Sequence, residues 1–327
     1  MRRRVAVTGL GTISALGTGV AALRSAMAAG RCGIGPISTI PTDRLTVPIA
    51  AEILDFDPSA HFDRRQMLML DRASQLALVA AREALDGIDL AAMPAERCGV
   101  VLGAAIGQTT MDAGYLALYG AEATRLPPLT VPRGMPSAAA SQVAMSFGLH
   151  GPCFAIASAC ASSAHAIALA AQMVRAGQLD LAVCGGSDAS ICVGYLKAWD
   201  ALRVLSADAC RPFSRDRSGL VIGEAAGILV LEPWELARAR GAMIHAEFLG
   251  CGMGADAGDL TAPSAEGAAR AIRAALDDAG LAPDAVGYVN AHGTGTRLND
   301  STEAAALRAV FGAHLARLPV SSSKSLH

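Results

Sequence analysis

The chain alternates short apolar runs with longer segments in which apolar residues recur at every third or fourth position. The short runs, bounded by Gly and polar residues, predict strands over residues 5–9, 99–103, 154–157, 181–184, 227–231 and 286–290. The longer segments predict helices over residues 63–85 and from about 161 to 176, the second ending at Gly177. Strands that alternate with helices are typical of an α/β fold, in which helices cover a sheet.

A weak internal repeat divides this pattern. Residues 82–86 and 273–277 both read Arg-x-Ala-Leu-Asp, end a predicted helix and lead through a short polar loop to a strand. Strand-like runs also begin at Val5 and at Met243. The repeat predicts two related halves, 1–241 and 242–327. Ala-Leu-Asp is common at helix ends, so two unrelated helix ends are the alternative.

Composition narrows the class of protein. Hydrophobic residues make up 52% and charged residues 17%, which predicts a large buried core. The net charge of -2 gives no reason to expect a nucleic-acid partner, and the chain has no run of 18 apolar residues, so we expect no membrane partner. The eight cysteines form no C-x-x-C pair and the seven histidines show no metal-ligand spacing. We expect reduced thiols, a cytoplasmic location and no metal.

Cys160 has the most informative setting of the eight cysteines. It lies between the strand that ends near residue 157 and the helix that follows, among small residues that leave space around the sulfur. The N-terminal end of a helix stabilises negative charge, which favours a nucleophilic thiolate. A small buried hydrophobic residue in an Ala-rich turn is the alternative.

A second group of candidates lies near the end of the sequence. His292 stands in a loop rich in Gly and Thr that follows a predicted strand, and Asp300 and Glu303 stand at the start of the next helix. Lys324 lies in a Ser-rich run. Each has an ordinary explanation: a structural histidine, carboxylates that complement a helix dipole, and a solvated lysine.

Together, the segments around these residues resemble the β-ketoacyl-acyl-carrier-protein synthases of the thiolase superfamily, over essentially the whole chain. The matching motifs occur in the family's order, at residues 157–163, 184–188, 211–224, 290–296 and 322–325. Within the family, the segments around Cys160 and His292 are similar to nodulation-type and polyene-forming ketosynthases. The resemblance implies a thiolase-like α/β fold, with duplicated βαβαβ halves in a layered αβαβα core. Residues 1–241 would carry the nucleophilic cysteine, and 242–327 the histidine and lysine motifs.

The resemblance also implies an activity and its residues. The enzyme would be an acyltransferase that joins an acyl thioester to malonyl-acyl carrier protein by decarboxylative Claisen condensation, without a cofactor. Cys160 would be the nucleophile and its backbone N–H would donate to the oxyanion. His292 would hydrogen-bond the thioester during decarboxylation. Lys324 and Glu303 would form a buried charge pair that supports the histidine.

Partners follow from the same resemblance. An acyl carrier protein bearing phosphopantetheine thioesters would dock on Arg64 and Arg65, although a solvated helix surface explains these residues equally well. Ile106 would line the acyl pocket. The protein would form a homodimer, or a heterodimer with a related ketosynthase-like subunit.

Two features of the family's pattern fall outside the sequence. The family places a second catalytic histidine five residues after the lysine and, further on, a Gly-rich segment with a phenylalanine. His327 follows Lys324 by only three residues, so we do not assign that role to it. We expect the full site to need residues beyond His327. The alternatives are a non-catalytic partner subunit, from which the nucleophilic cysteine is typically absent, a thiolase and a structural fragment.

Overall fold

The computed structural model describes residues 3–104 and 109–327. Its strands are β1 (Val5–Ser14), β2 (Gly17–Thr18), β3 (Gly35–Pro36), β4 (Ile49–Ala50), β5 (Cys98–Gly103), β6 (Cys153–Ile156), β7 (Leu181–Ala189), β8 (Glu224–Pro233), β9 (Ala246–Glu247), β10 (Val289–Asn290) and β11 (Val320–Ser321). Its helices are α1 (Val20–Ala28), α2 (Arg64–Met69), α3 (Arg72–Ala84), α4 (Thr109–Tyr115), α5 (Thr130–Gly134), α6 (Ala138–Phe147), α7 (Ser162–Arg175), α8 (Val193–Leu202), α9 (Trp234–Ala239), α10 (Ala265–Ala279) and α11 (Arg297–Phe311).

The chain folds into two compact units. Unit 1 comprises residues 1–31, 52–195 and 223–248, and unit 2 comprises residues 32–51, 196–222 and 249–327. The predicted division into duplicated halves at residue 241 stays a prediction. Among the described residues, no helix is both long and apolar enough to cross a membrane.

Unit 1 is built on a mixed sheet. The described strands pair in the order β2-β1-β8-β7-β5-β6, and β9 also pairs with β1. β5 runs parallel to both β6 and β7, whereas β8 runs antiparallel to β7 and β1. Parallel strands cannot be joined by a tight turn, and α7 supplies the crossover between β6 and β7.

Helices bury both faces of this sheet. Alternate side chains of a strand point to opposite faces, so Val100 and Leu102 of β5 enter the core formed with α3, while Val101 enters the core formed with α7. Every residue of β5 is buried. A strand covered on both faces is apolar throughout, which explains why the sequence predicted this strand.

The predicted helix over residues 63–85 is interrupted, so that prediction is wrong in one respect. Leu70 is extended, and α2 ends before it while α3 begins after Asp71. The Asp71 carboxylate accepts a hydrogen bond from the Ser74 N–H at 2.9 Å, the contact that begins a new helix. The apolar spacing continues through the break because buried Leu70 keeps its side chain in the core.

Unit 2 contains α10 and α11, which pack against each other. Phe311, Leu307 and Leu318 form its core. The strand predicted over residues 286–290 is reduced to β10, which pairs in parallel with β11 in the register Val289–Val320.

Candidate active site

Cys160 lies exposed in the turn between β6 and α7. The preceding residue, Ala159, has φ of 50°, a left-handed conformation that costs an L-residue about 1–2 kcal/mol. Ser162 stabilises this turn, since its Oγ accepts from the Ser158 N–H at 2.9 Å and donates to the Ala159 carbonyl at 2.6 Å. The thiol is thus presented on a fixed turn, two residues before the first residue of α7.

Glycines in the sheet leave space for the first turn of α7 to pack closely against it. A Cβ added to Gly103 of β5 would overlap the backbone of Ser163, and one added to Gly186 of β7 would overlap its Oγ. Ser158 Oγ and His165 Nδ1 are also 2.6 Å apart, which joins the turn to the first turn of the helix. The first turn of α7 therefore rests on the sheet, and Cys160 lies just past the carboxyl end of β6.

The loop of His292 is fixed by Glu303. This loop joins β10 to α11 in unit 2. Glu303 lies on α11, and its two carboxylate oxygens accept from the backbone N–H of His292 at 2.7 Å and of Gly293 at 2.8 Å. Hydrogen bonds to a carboxylate are stronger than those to a neutral acceptor. The function of Glu303 visible in the structure is therefore to hold the histidine loop.

Asp300, one turn earlier on α11, binds two segments of unit 2. Its side chain is buried and accepts from the Gly295 N–H at 3.2 Å and from the Phe213 N–H at 2.7 Å. Arg217 Nε lies 3.6 Å from the same carboxylate. The sequence placed Asp300 at the start of a helix but gave no sign of the contact with Phe213, because 87 residues separate the two.

The surroundings of His292 favour the neutral form of its imidazole by lowering its pKa. Burial lowers the pKa of His292, and the Lys324 ammonium lowers it further, against the opposing effect of Glu303 and Asp300. The parallel pairing of β10 and β11 brings this region together, and Ser322 Oγ donates to the Gly293 carbonyl at 2.9 Å. Lys324 itself is exposed rather than buried, and its pairing with Glu303 stays a prediction.

The remaining predicted residues are distributed as follows. Arg64 and Arg65 are exposed in the first turn of α2. Nearby Arg72 is bound instead to both carboxylate oxygens of Glu224, each at 2.6 Å. Ile106 lies outside the described residues. In the part of the chain that the structure describes, no group of three or more His, Cys, Asp or Glu side chains could hold a metal ion.

Comparison with known proteins identifies the family of the chain. The model of the β-ketoacyl synthase N-terminal domain matches residues 2–237, and that of the β-ketoacyl synthase C-terminal domain matches residues 245–327. These matches confirm the family expected from the motifs.

Individual relatives extend the comparison. The chain is 48% identical to nodulation protein E of Rhizobium sp. (strain N33), over 100% of this chain and 82% of that protein. It is 39% identical to 3-oxoacyl-[acyl-carrier-protein] synthase 2 of Staphylococcus aureus (strain COL), over 99% of this chain and 81% of that protein. The solved structure of the ishigamide ketosynthase/chain length factor matches with a TM-score of 0.92 and 35% identity, over 100% of this chain and 82% of that one. With its thiolase-like fold and these relatives, the chain belongs to the β-ketoacyl synthase family.

Proposed function

We propose that Cys160 and His292 carry out the two stages of a decarboxylative condensation, in which an acyl chain gains two carbons from a malonyl thioester. The observation that carries the proposal is the exposed thiol of Cys160 on a fixed turn just before α7. The turn leaves the sulfur accessible, and the N-terminal end of a helix stabilises a thiolate.

In the first stage the Cys160 thiolate attacks the carbonyl carbon of an acyl thioester. The carbonyl oxygen becomes an oxyanion, to which the Cys160 backbone N–H donates. The intermediate collapses, the bond to the carrier's sulfur breaks, and the carrier thiolate leaves and takes up a proton. The acyl chain is then bound to Cys160 as a new thioester.

In the second stage a malonyl thioester loses its carboxylate as CO₂, and the electron pair of the broken bond forms an enolate. His292 donates a hydrogen bond to the thioester oxygen where this charge develops. Its lowered pKa suits the task, because a neutral imidazole keeps one N–H donor. The carbanion attacks the acyl group on Cys160, whose thiolate leaves, and a β-ketoacyl thioester is released.

Glu303 and Lys324 support His292 in this proposal. Glu303 fixes the backbone on which His292 stands, through the two N–H groups that it accepts. Lys324 helps to keep the imidazole neutral by lowering its pKa.

An acyl carrier protein is the substrate carrier that we propose, together with malonyl-acyl carrier protein. The name of the Staphylococcus aureus relative identifies that enzyme as acting on acyl-carrier-protein thioesters. The ishigamide structure pairs a ketosynthase with a chain length factor, which supports a dimer with a related subunit; a dimer with a second copy is the alternative that we propose. Free cysteines among the described residues fit a cytoplasmic location.

Two variants test the separate roles proposed for Cys160 and His292. Cys160→Ala should abolish transfer of the acyl group from acyl carrier protein, measured as the mass increase of the intact protein. Cys153→Ala is the matched control, since it removes another exposed thiol. His292→Ala should keep that transfer but lower malonyl decarboxylation about 100- to 1,000-fold, as expected for loss of one donor to a developing oxyanion. Acylation of Cys160→Ala at the wild-type rate would refute the assignment of the nucleophile.

A further inference from the structure

Residues 210–219 of unit 2 contact the histidine loop at several points. Cys210 Sγ lies 3.4 Å from the Thr294 carbonyl, and Arg217 Nε donates to the Thr296 carbonyl at 3.2 Å. The Gly219 carbonyl also lies close to the loop, 2.7 Å from the position that a Cβ on Gly295 would take. The shape of the loop therefore depends on this distant segment as well as on Glu303.

Phe213, within that segment, has an unusual backbone. Its φ is 61°, in the left-handed region that a bulky L-residue rarely adopts, and such a conformation persists only where other contacts impose it. Here the Phe213 N–H donates to Asp300 Oδ2 at 2.7 Å. The other oxygen of the same carboxylate accepts from the Gly295 N–H in the histidine loop. Buried Asp300 thus binds Phe213 and the loop together.

The ring of Phe213 contacts the residue that follows His292. Its Cε2 atom lies 3.0 Å from the position that a Cβ on Gly293 would take. Ser322 crowds the same position, with its Cβ at 2.5 Å. Gly293 has φ of 40° and is buried, and the phenyl ring and the serine together fill the space that a side chain at this position would need.

We propose that Phe213 is a positioning residue for His292. Its left-handed backbone, held by Asp300, turns the phenyl ring against Gly293 and so fixes the peptide that carries the imidazole. The proposal rests on the role of His292 proposed above. It predicts that Phe213 affects decarboxylation, where the orientation of the imidazole matters, and leaves transfer of the acyl group to Cys160 unchanged.

The experiment compares Phe213→Ala and Phe213→Gly in the full chain. Both remove the ring, so both should lower kcat for decarboxylation of malonyl-acyl carrier protein by about ten- to a hundredfold, the effect of a misplaced catalytic group. KM should stay unchanged, as should the rate of acylation of the thiol. Phe213→Tyr keeps the ring, so its kcat should equal that of the wild type.

The unfolding temperatures of the variants distinguish a positioning role of Phe213 from a role in packing alone. Glycine adopts a positive φ without strain, so Phe213→Gly should unfold at a higher temperature than Phe213→Ala although both lose decarboxylation. Phe311→Ala is the matched control, because it removes a buried ring from the core of the same unit. It should lower the unfolding temperature and leave kcat of the folded enzyme unchanged.

Three results would overturn the proposal: equal losses of acylation and decarboxylation, a raised KM at unchanged kcat, or a Gly variant no more stable than the Ala variant. His292→Ala, measured in parallel, distinguishes the role of Phe213 from that of His292. If His292→Ala decarboxylates normally, the role of the histidine itself is wrong. If only His292→Ala is impaired and the Phe213 variants are not, the role of Phe213 is wrong and that of His292 stands.

Discussion

Glu303 stabilises backbone groups of the histidine loop. Its carboxylate accepts from two consecutive N–H groups, those of His292 and Gly293. Two N–H groups that point the same way need two acceptor atoms, which an ionised carboxylate provides and an amide does not. The residue is therefore suited to fixing a loop.

Substitution of Glu303 by Gln tests this interpretation. The amide NH₂ would face one of the two N–H donors, so we expect a loss of about 2 kcal/mol in unfolding free energy, in the range of one hydrogen bond to a charged group. The rate of malonyl decarboxylation should also fall in this variant. The control is Glu266→Gln, which removes the charge from an exposed ion pair with Arg273 and should have little effect. Equal stability of the two variants in urea unfolding would contradict the interpretation.

The lowered pKa of His292 makes stability depend on pH. The ordinary pKa is 6.5, and burial and Lys324 lower it in the folded protein. The unfolded chain therefore binds the proton first, and the unfolding free energy should fall as the pH drops from about 7 to about 5. His327, whose pKa is lowered by burial and by Lys324, contributes in the same direction.

Lys324→Met isolates the electrostatic part of this effect. Without the ammonium, the pKa values of His292 and His327 move back toward 6.5, so the loss of stability over the same pH range should be smaller. Urea unfolding at a series of pH values measures the slope independently of any overall change in stability. An unchanged slope would show that Lys324 does not act on the histidine.

At the scale of elements, the position of α7 depends on glycines in the strands beneath it. Gly103 leaves space for the backbone of Ser163, in the first turn of the helix that follows Cys160. The contact connects packing in the sheet to the position of the thiol.

Gly103→Ala should displace the start of α7. We expect a loss of about 1–3 kcal/mol in stability from overpacking, together with slower acylation of Cys160. Gly227→Ala on β8 is the matched control, since no atom lies within 4 Å of its added Cβ. Thermal unfolding and the rate of acylation measure both effects, and normal acylation in Gly103→Ala would show that the thiol does not depend on this contact.

At the scale of the whole molecule, the proposed contact with a carrier protein depends on charge. Arg64 and Arg65 are exposed on α2, whereas Arg72 is bound to Glu224 and is not available in the same way. An acidic carrier would be attracted to the exposed pair, and salt would weaken the attraction.

Reversal of both charges, Arg64→Glu with Arg65→Glu, should raise KM for acyl carrier protein about tenfold and leave KM for a small thioester unchanged. The control reverses Arg24 and Arg238, two other exposed arginines of unit 1, and so gives the same net charge. Similar KM values for the two double variants would assign the effect to net charge rather than to docking on α2.

The spacing of apolar and polar residues along the chain was enough to predict the main helices and strands of unit 1. Buried strands such as β5 are apolar throughout, and α7 ends next to Gly177, which has a positive φ, as the sequence indicated. The break at Leu70 was missed because apolar spacing continues across it, and the strand over residues 286–290 was predicted too long. The order of motifs was also enough to predict the family, which the comparisons confirmed.

The sequence by itself determined the α/β class, the family and the candidates Cys160 and His292, because each depends on neighbouring residues or on motif order. Only the tertiary structure decided that Glu303 binds the histidine loop, that Asp300 reaches Phe213 and that Lys324 is exposed. The physical reason is that each depends on how separate segments are folded. Asp300 and Phe213 are 87 positions apart, and the Glu303 contacts depend on the path of the loop between β10 and α11, which the local pattern of apolar and polar residues does not specify.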